Sequence, residues 1–190
     1  MTMKENKGFT LAELLIVVAI IGILVAISIP IFNAKLEESR EAYDIATMRS
    51  AASAAIDLYY AGVHDEGSAS KAKLSWSGLG GTAANNAYGA YNPRTGGFVP
   101  SRDKLPSDLM TYGKGTTVNG GTEFVLGNDR GAYAPDQDYT KACVMVSIYP
   151  NANPAYAVVY WKNNVSNNTT YVGGQFKTNI PKYSIMITLN

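Results

Sequence analysis

The sequence predicts an α+β chain in which a long N-terminal helix packs on a C-terminal antiparallel β-sheet. Three observations predict it. The run Phe9–Phe32 carries one charge, Glu13, and is otherwise built almost wholly of apolar residues. Beyond it, Lys35 to Ala61 holds neither Pro nor Gly, and Ile45, Met48, Ala52, Ala55 and Tyr59 follow one another at the helical spacings of three and four. From Thr122 onward, short β-branched and aromatic stretches alternate with turn residues.

The first helix has two halves. Phe9–Phe32 is long enough to cross a bilayer, for which roughly 20 apolar residues are needed. A buried helix in a small soluble domain seldom stays apolar on all sides for that length, so a membrane-inserting helix is favoured over a core helix. Lys4 and Lys7 on one side are matched by Lys35 and Arg40 on the other, so the charge bias does not orient it. A secretory signal cut after Ala26-Ile27-Ser28 is the rival; Glu13 at the head of the run and Pro30 just behind the cut oppose it. The second half is amphipathic. Its polar side carries Lys35, Glu37, Glu38, Arg40, Glu41, Asp44 and Arg49, which reads as a solvated face with Glu37 and Glu41 placed to pair with Arg40. Taken as one element from Phe9 to Ala61, the rod is about 80 Å long at about 1.5 Å per residue. Gly22 and Pro30 make the segment between them its weakest part, where a kink is expected.

Between Gly62 and Gly121 lie most of the chain's 18 glycines, among Ala, Ser and Asn. This stretch reads as an extended connection with one or two short helices or strands, around Ala69–Leu74 or Arg102–Met110. Gly78-Leu79-Gly80-Gly81 lacks the feeding strand and the Gly-Lys-Ser/Thr of a phosphate loop and reads as a turn. After it, TEFVL, CVMVSIY, AYAVVYW, TYVGGQF and YSIMITL are five candidate strands. The joins Pro150–Pro154 and Asn163–Asn168 are too short for crossovers, so neighbouring strands are antiparallel. Tyr183, Ile185, Ile187 and Leu189 share one face, set against the Ile45–Tyr59 stripe.

Composition restricts the chemistry. With 16 Lys+Arg against 15 Asp+Glu the net charge is +1, which argues against binding nucleic acid through a basic surface. One cysteine, Cys143, cannot form an intramolecular disulfide and reads as a buried apolar residue. One histidine, His64, sits beside Asp65 at the end of the helix and reads as a surface residue. No catalytic set and no cofactor set is found. Asn128, Asp129, Asp136 and Asp138 supply oxygen for a calcium ion but lack the register of a calcium loop, so two Asn- and Asp-rich turns explain them better. Asn164, Asn167 and Asn168 head glycosylation sequons, which mark an exposed loop. Tyr88, Tyr91, Tyr112, Tyr133 and Tyr139 fall in Gly-rich stretches; anchoring loops to the sheet is favoured over adhesive contacts.

Lys7-Gly8-Phe9-Thr10-Leu11-Ala12-Glu13-Leu14, followed by the apolar run and Pro30, resembles the start of a type IV prepilin. The likeness is close over about the first 55 residues and architectural beyond them. It implies a leader, residues 1–8, cut after Gly8 by a prepilin peptidase. Phe9 would then be the N-methylated first residue, and Glu13 the acidic residue used in assembly. Residues 9–32 would be the transmembrane and filament-core helix. A head over 33–190 would comprise the amphipathic half of the helix (33–61), the connection (62–121) and the sheet (122–190). The partners implied are identical or related pilin subunits, the assembly platform and ATPase, and the cytoplasmic membrane before assembly. The resemblance thus implies the type IV pilin fold and a structural subunit of an extracellular filament, not an enzyme. A pseudopilin of type II secretion or DNA uptake, and a membrane-anchored binding domain that never polymerises, share the same N-terminal features. Many members close a C-terminal loop with a disulfide, which one cysteine cannot do.

Overall fold

The computed structural model describes residues 8–78, 85–109, 113, 133, 137–163, 171–177, 180–181 and 183–189. The expected strand TEFVL, the sequons, Tyr112, and Asn128, Asp129 and Asp136 lie outside them. The chain divides into two units, Met1–Leu36 and Glu37–Asn190.

Helix α1, Leu11–Tyr60, runs without interruption through Gly22 and Pro30. In the first unit its side chains are exposed throughout, and the Ser28 hydroxyl donates to the Leu24 carbonyl one turn back, 2.7 Å away. The helix stops because Gly62 takes φ +93°. Gly62 N–H then donates to Tyr59 O at 3.0 Å and Val63 N–H to Leu58 O at 3.1 Å, the paired bonds of a Schellman end. Val63 is buried in the core against which the half-buried Leu58 also packs. A short helix follows, α2, Glu66–Lys71, opened by a capping box between Asp65 and Ser68.

In the second unit the main sheet has strands β1 (Ser75–Ser77), β2 (Asn86–Asn92), β3 (Gly97–Val99), β4 (Ala142–Tyr149), β5 (Ala155–Asn163) and β8 (Ser184–Leu189). Its order is β1-β2-β4-β5-β8 with β3 also on β2, and every pairing is antiparallel. A separate two-stranded ladder joins β6 (Gln175–Lys177) to β7 (Ile180–Pro181). Pro150–Pro154 makes the expected short β4–β5 turn. Of TYVGGQF, Tyr171 makes an isolated bridge to Lys162 and only the last residues form a strand, β6.

The sheet begins well before residue 122, contrary to the sequence-based division, because β1, β2 and β3 lie in the Gly-rich stretch. At Gly89 the glycine is a packing requirement of the strand and not a loop signal. A Cβ at Gly89 would lie 2.6 Å from Leu74 Cδ2 and 2.7 Å from the Val99 carbonyl oxygen, so β2 fits only where a side chain is missing. Tyr88 and Tyr91 are therefore strand residues, not loop residues.

Strand alternation makes two cores. On one face, Ala87, Val144, Val146, Ile148, Ala157, Val159, Trp161, Ile185 and Leu189 meet Met48, Ala51, Ala52 and Ala55 of α1. The alanines present a small surface to the strands, and the indole N–H of Trp161 donates to the Met48 sulfur. Ile45, Tyr59, Tyr183 and Ile187 pack at the edge of this core, so the expected stripe and the expected strand face do meet. The other face carries Ala90, Cys143, Met145, Val158 and Tyr160, covered in part by Leu105 and Leu109. These two leucines belong to or follow 3-10 turns at Arg102–Lys104 and Ser107–Leu109, within the stretch expected to hold short structure.

Candidate assembly surface and the buried acidic face

Gly8 and Phe9 are exposed, and Phe9 is 87% accessible. Thr10 stands just before the first helical residue. Its backbone N–H and its hydroxyl each donate to Glu13 Oε2 at 2.8 Å, while Glu13 N–H donates back to Thr10 Oγ1 at 3.3 Å. This is a reciprocal capping box. It satisfies N–H groups that an α-helix leaves open at its start, and it holds the Glu13 carboxylate over the positive end of the helix dipole. The Thr-x-x-Glu spacing that builds it is visible in the sequence, where the resemblance assigns Glu13 to assembly.

Beyond Glu13, every large apolar side chain through Phe32 is exposed on the subunit, from 47% at Val25 upward. Among the described residues this is one helix long and apolar enough to cross a membrane, and none of its apolar window is buried in the structure. Apolar surface of that extent on all sides of a helix needs a solvent other than water, either lipid or other helices.

The amphipathic half departs from expectation. Lys35, Glu38, Arg40 and Arg49 are exposed, but Glu37, Glu41 and Asp44 are buried, so the polar side is not a uniformly solvated face. The reason is that Gly113 and Tyr133 come against it. Gly113 comes so near that a Cβ there would sit 2.6 Å from Glu41 Cγ and 3.2 Å from both Asp44 Oδ2 and Glu37 Oε1. Asp44 exchanges water for two donors, accepting at Oδ2 from Gly113 N–H at 2.9 Å and from the Tyr133 hydroxyl at 2.7 Å. Its Oδ1 has no hydrogen-bond partner among the described residues. Burial pushes the Asp44 pKa up to about 7, with Glu41 and Glu37 adding to the rise against the two hydrogen bonds. Glu37 also pairs with the exposed Arg40 at 3.4 Å, as the spacing predicts.

Tyr133 stacks on Tyr139 with centroids 4.0 Å apart, and Tyr139 meets the edge of Trp161 at 5.0 Å. Both tyrosines are buried, which is the loop-anchoring role preferred over adhesion. Cys143 is buried, its thiol pKa pushed up to about 12 by that burial. His64 is exposed, its ring 4.9 Å from that of Tyr59. Asp138 is exposed and accepts from Thr140 N–H and Oγ1, the bonding of a local turn.

Comparison with known proteins bears on this arrangement. The family described as the prokaryotic N-terminal methylation motif matches residues 3–29. The type IV major fimbrial protein FimA of Dichelobacter nodosus is 29% identical over 123 residues, 64% of this chain and 76% of that protein. Fimbrial protein Q of Moraxella bovis is 35% identical over 113 residues, 56% of this chain and 71% of that protein. The chain belongs to the type IV pilin family. A Pseudomonas aeruginosa fimbrial protein is 49% identical over 57 residues, 28% of this pilin, and the match spans 37% of that protein's length. No solved structure matches this pilin at comparable significance. The long helix on an antiparallel six-stranded sheet is the α+β architecture of the family.

Proposed function

We propose that the protein is the structural subunit of an extracellular type IV pilus. As a precursor it spans the cytoplasmic membrane once through residues 9–32, is cut after Gly8 by a prepilin peptidase, and is methylated on the new Phe9 amine. An assembly platform and ATPase then move it from lipid into a helical filament of identical or related subunits. The observation that carries this reading is the exposure of every large apolar side chain from Phe9 to Phe32. Passing from lipid to a bundle of like helices keeps that surface out of water in both places, so extraction does not have to overcome the full hydrophobic cost. Named relatives that are fimbrial proteins or major pilins favour a pilus over a secretion pseudopilus.

Sequencing the N-terminus of the mature chain, together with imaging of filaments sheared from cells, tests this. Phe9 as the first residue of the main filament protein is the expected result. A mature chain beginning at Ile29 would mean that signal peptidase discards the apolar helix, and the proposal would fall.

A further inference from the structure

A groove of about 440 Å³ lies between the C-terminal end of α2 and the β2–β3 hairpin. The first contributes Lys71 and Lys73, the second Asn92, Thr95, Phe98 and Val99. No acidic residue lines the groove. Among the described residues neither lysine is in an ion pair, whereas Arg94, the cation of the hairpin itself, is held by Asp108 at 2.7 Å.

Lys73 reaches the groove from a strained backbone. Helix α2 ends as α1 does, with Lys73 N–H donating to Ser70 O at 3.0 Å and Leu74 N–H to Ala69 O at 2.9 Å, the two bonds of a Schellman end. The residue after the cap takes the left-handed region in both. At the end of α1 it is Gly62; at the end of α2 it is Lys73, with φ +58°, the one non-glycine residue at positive φ among the described residues. Glycine would close this end without strain. Lys71 stands in the last turn, where a cation also suits the negative end of a helix. Lys73 lies beyond that turn, so what it adds over glycine is an ammonium group at the groove.

Two ammonium groups facing no carboxylate favour an anion. Ammonium groups act as point charges, without the planar fork by which arginine matches a carboxylate. A phosphate offers oxygens in three dimensions and up to two negative charges, so it can meet both lysines and still accept from the hairpin. Asn92 Oδ1 is engaged by Arg94 N–H at 3.0 Å and Thr95 Oγ1 by Gly97 N–H at 3.4 Å, so an amide N–H and a hydroxyl hydrogen are the groups these side chains can turn to a ligand. Two lysines on a chain of net charge +1 suit one or two phosphates, not the long backbone of a nucleic acid.

We propose that the groove between Lys71, Lys73 and Thr95 binds a phosphate group, carried by a free diphosphate or by a phosphodiester polymer. The groove lies wholly within the second unit and does not rest on the filament reading.

The test is titration calorimetry on the full-length protein in a nonionic maltoside micelle. The probes are inorganic pyrophosphate for a free phosphate and poly(glycerol phosphate) for a phosphodiester chain, with glutarate as a dicarboxylate for comparison. Saturable binding of at least one phosphate probe is expected, weaker at higher salt, and the tighter of the two identifies the source. Lys73→Asn removes the ammonium but keeps a residue that tolerates the left-handed angle, so it should weaken this binding about fivefold with a thermal midpoint no lower than that of wild type. Lys71→Gln should weaken it by a similar factor and keeps the test decisive if Lys73→Asn fails to fold. Lys104→Gln, at an exposed lysine outside the groove that pairs with Asp103 at 3.8 Å, should leave it unchanged. No binding of either phosphate probe, glutarate bound as tightly as pyrophosphate, binding that Lys73→Asn and Lys71→Gln leave unchanged, or equal loss from Lys104→Gln would each overturn the proposal.

Discussion

The Tyr133 hydroxyl donates to Asp44 Oδ2 at 2.7 Å across 89 positions of sequence, joining a segment far along the chain to the buried side of α1. Gly113 N–H donates to the same oxygen, and Gly113 O accepts from Tyr139 N–H at 3.0 Å. One carboxyl therefore ties both Gly113 and Tyr133 to α1. The arrangement is costly because Oδ1 stays unpaired and Glu37 and Glu41 lie close by.

That cost makes stability depend on pH. Folding raises the Asp44 pKa from 3.8 to about 7, so between those values the native chain keeps a proton that the unfolded chain has lost. The contribution of Asp44 is greatest below the lower value, declines as pH climbs toward the upper one, and changes no further above it. Thermal unfolding of wild type and Asp44→Asn across this range isolates the effect, since the amide cannot ionise. The wild-type midpoint should fall relative to Asp44→Asn as pH rises, and parallel curves would refute the assignment. Tyr133→Phe removes one donor to Asp44 and should cost about 1–2 kcal/mol, read from the denaturation midpoint.

Gly89 and Gly62 are both required, for different reasons. At Gly89 the obstacle is packing, because the Val99 carbonyl is backbone and cannot swing aside for a Cβ. Gly89→Ala should cost about 1–3 kcal/mol by overpacking. Shortening Leu74 in a Leu74→Ala, Gly89→Ala pair should not restore stability, because the clash with Val99 remains. Full rescue by the second substitution would place the conflict on Leu74 alone.

At Gly62 nothing stands within 4 Å of the Cβ position, and the obstacle is the backbone angle, φ +93°. Gly62→Ala should cost about 1–2 kcal/mol through left-handed strain, with the Schellman bonds kept. Gly62→Asn should cost less, since Asn tolerates that region better. Equal losses for the two variants would show that the cap does not depend on backbone angle.

The long helix, the strands β4, β5 and β8, the antiparallel β4–β5 pairing and the helix stripe from Ile45 to Tyr59 were legible because each rests on local periodicity or a short join; that β8, and not the TYVGGQF segment, pairs along β5 was not legible. Val144, Val146 and Ile148 alternate with Cys143, Met145 and Ser147, and that pattern survives in either core. Strand β2 was not legible. NAYGAYN has little β-branched character, and Gly89 reads as a loop signal until Leu74 and Val99 are seen pressing on it. The buried acids were missed for a related reason. Glu37, Glu41 and Asp44 have the spacing of a solvated helix face, and only the arrival of Gly113 and Tyr133 from distant sequence shows what covers them. The Thr10–Glu13 cap, by contrast, could have been read from Thr-x-x-Glu alone.

That cap gives Glu13 two possible roles. A carboxylate at a helix start in an apolar segment could serve the helix of its own subunit, and the bonds from Thr10 show it does so in the isolated chain. Capping and dipole interactions are worth about 1 kcal/mol, too little to decide whether a filament forms. The assembly role is different. Cleavage after Gly8 would create a positive amine at Phe9, four residues away, and within an apolar filament core that amine and Glu13 of an adjacent subunit can pair. Losing one partner of such a buried pair costs roughly 3–5 kcal/mol. The two roles separate by substitution. Thr10→Ala breaks the cap and keeps the carboxylate, whereas Glu13→Val removes both. If pairing sets the register of an incoming subunit, Glu13→Val should abolish or sharply reduce surface filaments while leaving membrane insertion and the folded sheet intact, and Thr10→Ala should lower filament number only modestly. Counting sheared filaments against membrane-bound subunit for both variants is the measurement. Wild-type numbers of filaments from Glu13→Val would refute the register role, and equal loss from Thr10→Ala would reduce Glu13 to a helix cap.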